Sequence, residues 1–314
     1  MNKIEIYTKI LECGIMPTTF VYDIAETCKL AQTLYDGGIH IIELLQRTPQ
    51  AREALSAVKK AVPEMIVGAG TVLTVKTAEE AVQCGTDYVV SPFYDQNIVD
   101  WCCDHNVAVV PGCATITEVS RGYNSGLRCF KYFPVKQLGG AEVIRQISEI
   151  YNDARYVVTG GITFDDLTEY AQSKYVGAIG SVCMMPQELI NAHQWTQITQ
   201  LTKKAVAASL GFELAYVKAD VDTTAAGLLS MICDFSLVRS KIPDVPAKVK
   251  GNAEGYIAGI YTNSIVRALA YFRRHGIVGK VLTNEKDGTP VVAEIEIPAW
   301  GKLQLIARHY IYRT

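Results

Sequence analysis

The stretch "CFKYFPVKQLGG", Cys129 to Gly140, sets a lysine among apolar and aromatic residues in a run that otherwise reads as a buried strand. Three explanations fit an ammonium there: snorkelling to water at a strand end, pairing with a buried carboxylate, or acting as an amine kept neutral and nucleophilic. Strand alternation puts Cys129, Lys131 and Phe133 on one face. If that face is an interior, apolar surroundings disfavour the charged form, and a neutral amine attacks a carbonyl to give a Schiff base, an electron sink. Such chemistry needs a proton carrier. Glu43, in "IHIIELLQRT", is a carboxylate inside an apolar run; it reads either as that general acid/base or as a structural ion-pair partner of Arg47 or Lys131. Arg47 lies just beyond the same run, and its planar fork suits a substrate carboxylate.

These residues need a scaffold that brings them together. Eight short β-branched runs alternate with stretches of helical period through about residue 205: 15–21, 39–45, 65–72, 88–92, 107–112, 129–134, 156–161 and 176–181. Eight βα units close into a (β/α)8 barrel of the α/β class. Chemistry-bearing residues gather at the C-terminal ends of these runs: Glu43, Arg47, Thr71, Ser91, Thr115, Lys131, Thr159 and Ser181. In a barrel all those ends meet at one mouth, whereas an open doubly wound sheet would use only a few. Two glycine turns, "VTGGIT" and "AIGS", follow the seventh and eighth runs, where barrels often bind phosphate. The turn "VGAGTV" reads as a place where backbone approaches substrate and Thr71 offers a hydroxyl, with close strand–helix packing as the plainer alternative.

"AHQWTQITQLTKKAVAASLG" reads as the closing helix, stopped at Gly211. The expected division is a barrel over 1–211, a connecting segment over 212–252 and a small α+β domain over 253–314. Within 212–239, "GFELAYV" is a candidate strand and "TAAGLLSMICDFSLV" a candidate helix, and "SKIPDVPAKVKGNAEG" reads as a loop. Beyond it come a strand "GYIAGIYT", a helix "SIVRALAYFRRHG" capped by Ser264, and three strands, "GKVLTN", "PVVAEIEIP" and "KLQLIARHYIY", a βαβββ order.

Composition narrows the partners. The chain has 314 residues, a net charge of −2 and 49% apolar residues, with no Lys/Arg run, so small molecules are expected rather than nucleic acid or a membrane surface. Nine scattered cysteines include no CxxC, which fits a reducing cytoplasm better than a disulfide framework. The N-terminus lacks a signal-peptide core, and no run reaches the roughly 18 to 20 apolar residues of a membrane span. None of the five histidines ends a barrel strand, so no metal and no cofactor is expected.

In order, "GGIHIIELLQRT", "IVGAGTVL", "VVSP", "VVPGCATITE", "FKYFPVKQLGG", "VTGGI" and "AIGS" resemble the 2-keto-3-deoxy-6-phosphogluconate (KDPG) aldolases and the related 2-keto-4-hydroxyglutarate (KHG) and 2-keto-3-deoxy-6-phosphogalactonate aldolases, over about residues 5–207. The resemblance implies a metal-independent class I aldolase of carbohydrate metabolism and the Entner–Doudoroff route, and a homotrimer. By motif position, Lys131 is similar to the Schiff-base lysine, Glu43 to the acid/base, and Arg47 and Thr71 to the carboxylate-binding pair. Pro92, Phe133 and Thr115 fall on pocket positions, and Thr159, Gly160, Gly161 and Ser181 on the phosphate site. The pattern departs in two places. Phe93 stands where many relatives have glycine, and "IGSVC" replaces "IGGSW", which shifts Ser181 by one residue. "LQRT" leans toward the phosphogluconate branch and "PGCAT" toward the phosphogalactonate branch, so the sugar acid stays open; a barrel that binds without turnover is the alternative from another class. The C-terminal βαβββ unit resembles one module of the vicinal oxygen chelate, glyoxalase-like, superfamily through "IAGIYTNSIVRALAYFRRHG". It offers no ligand set beyond His309, so an accessory oligomerisation or effector-binding role is expected.

Overall fold

The computed structural model describes residues 1–217, 238–239, 255–297 and 301–311. The chain divides into two units, Met1–Tyr170 with Tyr175–Val206, and Ala171–Lys174 with Ala207–Thr314.

The first unit begins with helix α1 (Lys3–Cys13), started by an Asn2–Glu5 capping box and stopped at Gly14 with φ 71°. Parallel strands and helices then alternate: β1 (Ile15–Phe20), α2 (Ile24–Asp36), β2 (Ile41–Leu45), α3 (Ala51–Ala61), β3 (Ile66–Gly70), α4 (Val75–Gln83), β4 (Tyr88–Val90) and α5 (Gln96–Asp104). The second half follows as β5 (Ala108–Val110), β6 (Gly112–Cys113), α6 (Ile116–Asn124), β7 (Cys129–Tyr132), α7 (Gly140–Ile150), β8 (Arg155–Thr159), α8 (Phe164–Gln172) and β9 (Val176–Ser181). Helices α9 (Gln187–Asn191) and α10 (Trp195–Leu210) complete it, with Gly211 at φ 57° beyond.

Nine strand segments make eight staves. The sheet order β5-β4-β3-β2-β1-β9-β8-β7-β6 has β5 and β6 at its two ends, yet only Pro111 separates them in the chain. Pro111 has no N–H to extend a ladder; below it β5 pairs with β4, and above it β6 pairs with β7. One continuous segment therefore closes the (β/α)8 barrel. Period-2 alternation fills the interior with Met16, Ile41, Ile66, Tyr88, Val90, Ala108, Val110, Cys129, Val157 and Ala178, and Ile6 and Ile10 of α1 join this cluster.

The second unit holds β10 (Glu213–Val217), β11 (Val238–Arg239), β12 (Tyr256–Thr262), α11 (Ile265–Arg274), β13 (Gly279–Asn284), β14 (Pro290–Ile297), β15 (Gly301–Ala307) and α12 (Arg308–Ile311). Its mixed sheet has the order β11-β10-β12-β15-β14-β13. Helix α11 starts at Ser264, whose side chain accepts from the Arg267 N–H. One expectation is met here and one changes. "GFELAYV" supplies β10, which pairs with β12, so the connecting segment contributes a strand to this sheet. "KLQLIARHYIY" does not run on as a strand: the chain turns helical at Arg308, whose guanidinium donates to Glu213 Oε2 at 3.1 Å and to the Gly211 carbonyl at 2.8 Å. The candidate helix "TAAGLLSMICDFSLV" and the loop over 240–254 lie outside the described residues, apart from Val238 and its neighbour Arg239.

Candidate active site

Alternation decides which side chains enter the barrel. Cys129 belongs to the interior cluster, so Lys131, two residues on, points to the same side one layer nearer the C-terminal mouth. Ile41 and Glu43 stand in the same relation on β2. The two side chains meet across the barrel: Lys131 Nζ donates to Glu43 Oε1 at 3.3 Å, with Lys131 7% and Glu43 0% exposed. The other carboxylate oxygen, Oε2, is buried with no hydrogen-bond partner. The alternative of a Glu43–Arg47 pair is not what forms.

Arg47, exposed beyond β2, instead donates Nε to Thr71 Oγ1 at 3.1 Å, and its Cζ lies 5.5 Å from the Phe20 ring centroid. Thr71 adopts φ 55°, a left-handed conformation that aims its hydroxyl at Arg47. Phe133 stands at the rim with its ring centroid 5.7 Å from Lys131 Nζ. Pro92 is half-buried at the end of β4, and its backbone lies 2.3 Å from where a Gly112 Cβ would sit. Gly112 therefore lets β6 approach the β4 loop beside Lys131, with which it is in register.

The glycines of "VGAGTV" stand where the chain packs closely against neighbouring side chains. A Cβ on Gly70 would fall 2.1 Å from Glu43 Oε1, and one on Gly68 2.1 Å from the Tyr88 ring. Gly70 makes room for the Glu43 carboxylate.

At the far side, Gly160 and Gly161 have φ 114° and 71°, and Gly160 passes close to Pro134 Cα. The Ser181 hydroxyl is turned inward, donating to the Ile162 carbonyl at 2.7 Å and accepting from the Cys183 N–H at 3.1 Å, while Val182 beside it is 56% exposed. Thr159 is buried, with its hydroxyl unbonded and its methyl against Gly180. Thr115 caps α6: its hydroxyl donates to Glu118 Oε2 at 2.8 Å and accepts from the Glu118 N–H. Ser91 is buried, its hydroxyl donating to the Phe93 carbonyl.

Sequence reasoning passed over Thr18 and Phe20. Thr18 pairs in register with Glu43 and shares the inward face with Met16, so the alternation that selected Lys131 also points to it. Phe20 was legible only as an apolar strand end. Among the described residues no group of three or more His, Cys, Asp or Glu is arranged to hold a metal ion, and no helix is long and apolar enough to cross a membrane.

The profile of the KDPG and KHG aldolase family matches residues 6–201. The 2-dehydro-3-deoxy-phosphogluconate aldolase of Treponema pallidum is 34% identical over 203 residues, spanning 65% of this chain and 97% of that protein. The KHG/KDPG aldolase of Escherichia coli K12 is 31% identical over 198 residues, spanning 63% and 93%. Among solved structures, KDPG aldolase from Legionella pneumophila, with pyruvate captured at low pH as a covalent carbinolamine intermediate, matches with a TM-score of 0.62 at 28% identity and covers 63% of this chain and 97% of that one. With the profile running through every stave of the barrel that joins Lys131 to Glu43, this chain belongs to the KDPG and KHG aldolase family.

Proposed function

We propose that the barrel is a Schiff-base aldolase that cleaves 2-keto-3-deoxy-6-phosphogluconate to pyruvate and glyceraldehyde 3-phosphate. The observation that carries this reading is the buried contact of Lys131 Nζ with Glu43 Oε1, beside a carboxylate oxygen that has no hydrogen-bond partner among the described residues. The Lys131 amine adds to the C2 carbonyl, and loss of water from the carbinolamine leaves a protonated imine. Glu43 takes the proton of the C4 hydroxyl, directly or through water; the C3–C4 bond breaks, its electron pair flows toward the imine nitrogen, and the aldehyde departs. Protonation of the resulting enamine at C3 and addition of water release pyruvate and return the free amine.

The Arg47 fork, steadied by Thr71 and the Phe20 ring, holds the pyruvyl carboxylate. Phe133 and Pro92 wall the pocket, with Thr115 behind them at the rim. The Gly160–Gly161 turn with Thr159 and Ser181 takes the phosphate end. A second reading is 2-keto-4-hydroxyglutarate, which carries no phosphate; it is favoured by the engagement of Ser181 Oγ with Ile162 and Cys183 and by the exposed Val182. 2-keto-3-deoxy-6-phosphogalactonate is the epimeric alternative. In this reading residues 1–211 carry catalysis in a cytoplasmic homotrimer, and residues 253–314 are an accessory domain.

Borohydride added with pyruvate is expected to fix one adduct per chain on Lys131, read by peptide mass, with none in Lys131→Ala. Its absence at Lys131 would end the proposal. Retro-aldol rates on the phosphorylated epimers and on 2-keto-4-hydroxyglutarate then choose the substrate.

A further inference from the structure

The stretch "CFKYFPVKQLGG" holds a second lysine, Lys136, that the aldolase chemistry leaves unused. It lies in the loop between β7 and α7, and this loop is laid against the turn that follows β8. The Val135 N–H donates to the Thr159 carbonyl at 2.8 Å, and a Cβ on Gly160 would fall 2.9 Å from Pro134 Cα. Gly161 is more open. Lys136 Cδ lies 3.7 Å and Gln137 Nε2 3.9 Å from where its Cβ would sit, ordinary van der Waals separations. The bare face of the turn is therefore covered by the stem of a lysine whose ammonium is two bonds further on.

That ammonium is held to one side. Lys136 Nζ donates to Asp166 Oδ1 at 3.1 Å and to Oδ2 at 2.9 Å. Asp166 does not depend on it, because Oδ2 also accepts from the Thr163 N–H at 2.7 Å and from the Thr163 hydroxyl at 2.8 Å. The Thr163 N–H, with a smaller share from Lys136, holds the carboxyl below its ordinary range. Lys136 is exposed, and an ion pair in contact with water contributes little, so Nζ can leave without stranding the acid.

The surroundings of the turn give this lysine a use. The Ser181 hydroxyl is already engaged by the Ile162 carbonyl and the Cys183 N–H. Helix α8 carries Asp165 and Asp166 in its first turn, so the partial positive charge of its N-terminus is answered by carboxylates. Gly160 and Gly161, at φ 114° and 71°, offer backbone N–H groups, which beside two carboxylates make a poor seat for a dianion. An ammonium swung over the turn adds a charge-assisted hydrogen bond. We propose that Lys136 determines specificity for phosphorylated substrates: its ammonium turns from Asp166 to a phosphate seated on the Gly160–Gly161 turn, with the Gln137 amide as a neutral donor beside it. This assignment rests on the aldolase reading above and names the residue that reads the far end of the substrate.

The test uses the full chain and coupled pyruvate release on the two phosphorylated epimers. Lys136→Met keeps the stem and removes the charge; KM for the epimer that is cleaved should rise about tenfold, with kcat within about twofold. Asp166→Asn frees the ammonium and removes a repelling charge, so KM should move the other way, falling about threefold. Borohydride trapping of pyruvate on Lys131 should proceed at the parent rate in Lys136→Met, because pyruvate has no distal group. A parent-like KM or slowed trapping in Lys136→Met, a KM that fails to fall in Asp166→Asn, or a parent chain that traps pyruvate yet cleaves neither phosphorylated epimer would each overturn the proposal while the aldolase reading stands. A parent chain that traps no pyruvate on Lys131 would overturn both.

Discussion

Two strand-borne glutamates, one in each unit, meet opposite treatment. Glu294 on β14 accepts from Tyr256 Oη at 2.6 Å and pairs with Lys280 at 3.0 Å and Lys302 at 3.3 Å. Hydrogen bonds from Tyr256 and Lys280 hold it at about 2, against an ordinary 4.5. Glu43 on β2 is more deeply buried, and among the described residues its carboxylate has one partner, Lys131 at 3.3 Å, with Oε2 unbonded. A buried acceptor left unmatched costs about 1–3 kcal/mol or more when charged. A purely structural carboxylate would be enclosed as Glu294 is. The contrast fits the proposed role of Glu43 as the proton carrier, while Glu294 fastens the sheet.

Glu43→Gln keeps the shape and removes the base; turnover should fall by about 10²–10⁴-fold with little change in melting temperature, as measured by coupled pyruvate release. Unchanged turnover would break the comparison. Gly70→Ala comes next. Its Cβ would meet Glu43 Oε1 at 2.1 Å, so the acid must move, and an overpacked site costs about 1–3 kcal/mol. Activity should drop by about 10²-fold while Arg47→Lys, tested beside it, chiefly raises KM by about tenfold, since it loses the fork and not the proton carrier.

Glu294→Gln should have the smallest effect, leaving turnover unchanged and stability at neutral pH within about 1 kcal/mol. Because the native carboxyl sits below its ordinary value, its contribution is complete above about 4.5 and disappears as pH falls through about 2. Thermal melts at pH 6 and pH 3 should therefore differ less in Glu294→Gln than in the parent chain.

Legibility followed range. The closing helix and its stop at Gly211, the Ser264 cap and the eight strand positions rest on signals within a few residues of one another, and all were readable. The turn of the chain into helix at Arg308 was not, because Glu213 and Gly211, which receive its guanidinium, are about a hundred residues away in sequence. The hydroxyl of Ser181 likewise looked available from "AIGS"; its partner Ile162 belongs to the neighbouring loop, so only tertiary placement engages it.

By itself the sequence determined that Cys129, Lys131 and Phe133 share one strand face, because side chains alternate with a period imposed by backbone geometry; that this face is the barrel interior came from the fold, as did the inward placement of both Lys131 and Glu43. Tertiary structure alone decided that these two, 88 positions apart, stand 3.3 Å from each other. It also decided that Gly70 gives the Glu43 carboxylate its room. The reason is closure: register around a barrel is fixed only when the last stave meets the first, and no local pattern carries that information.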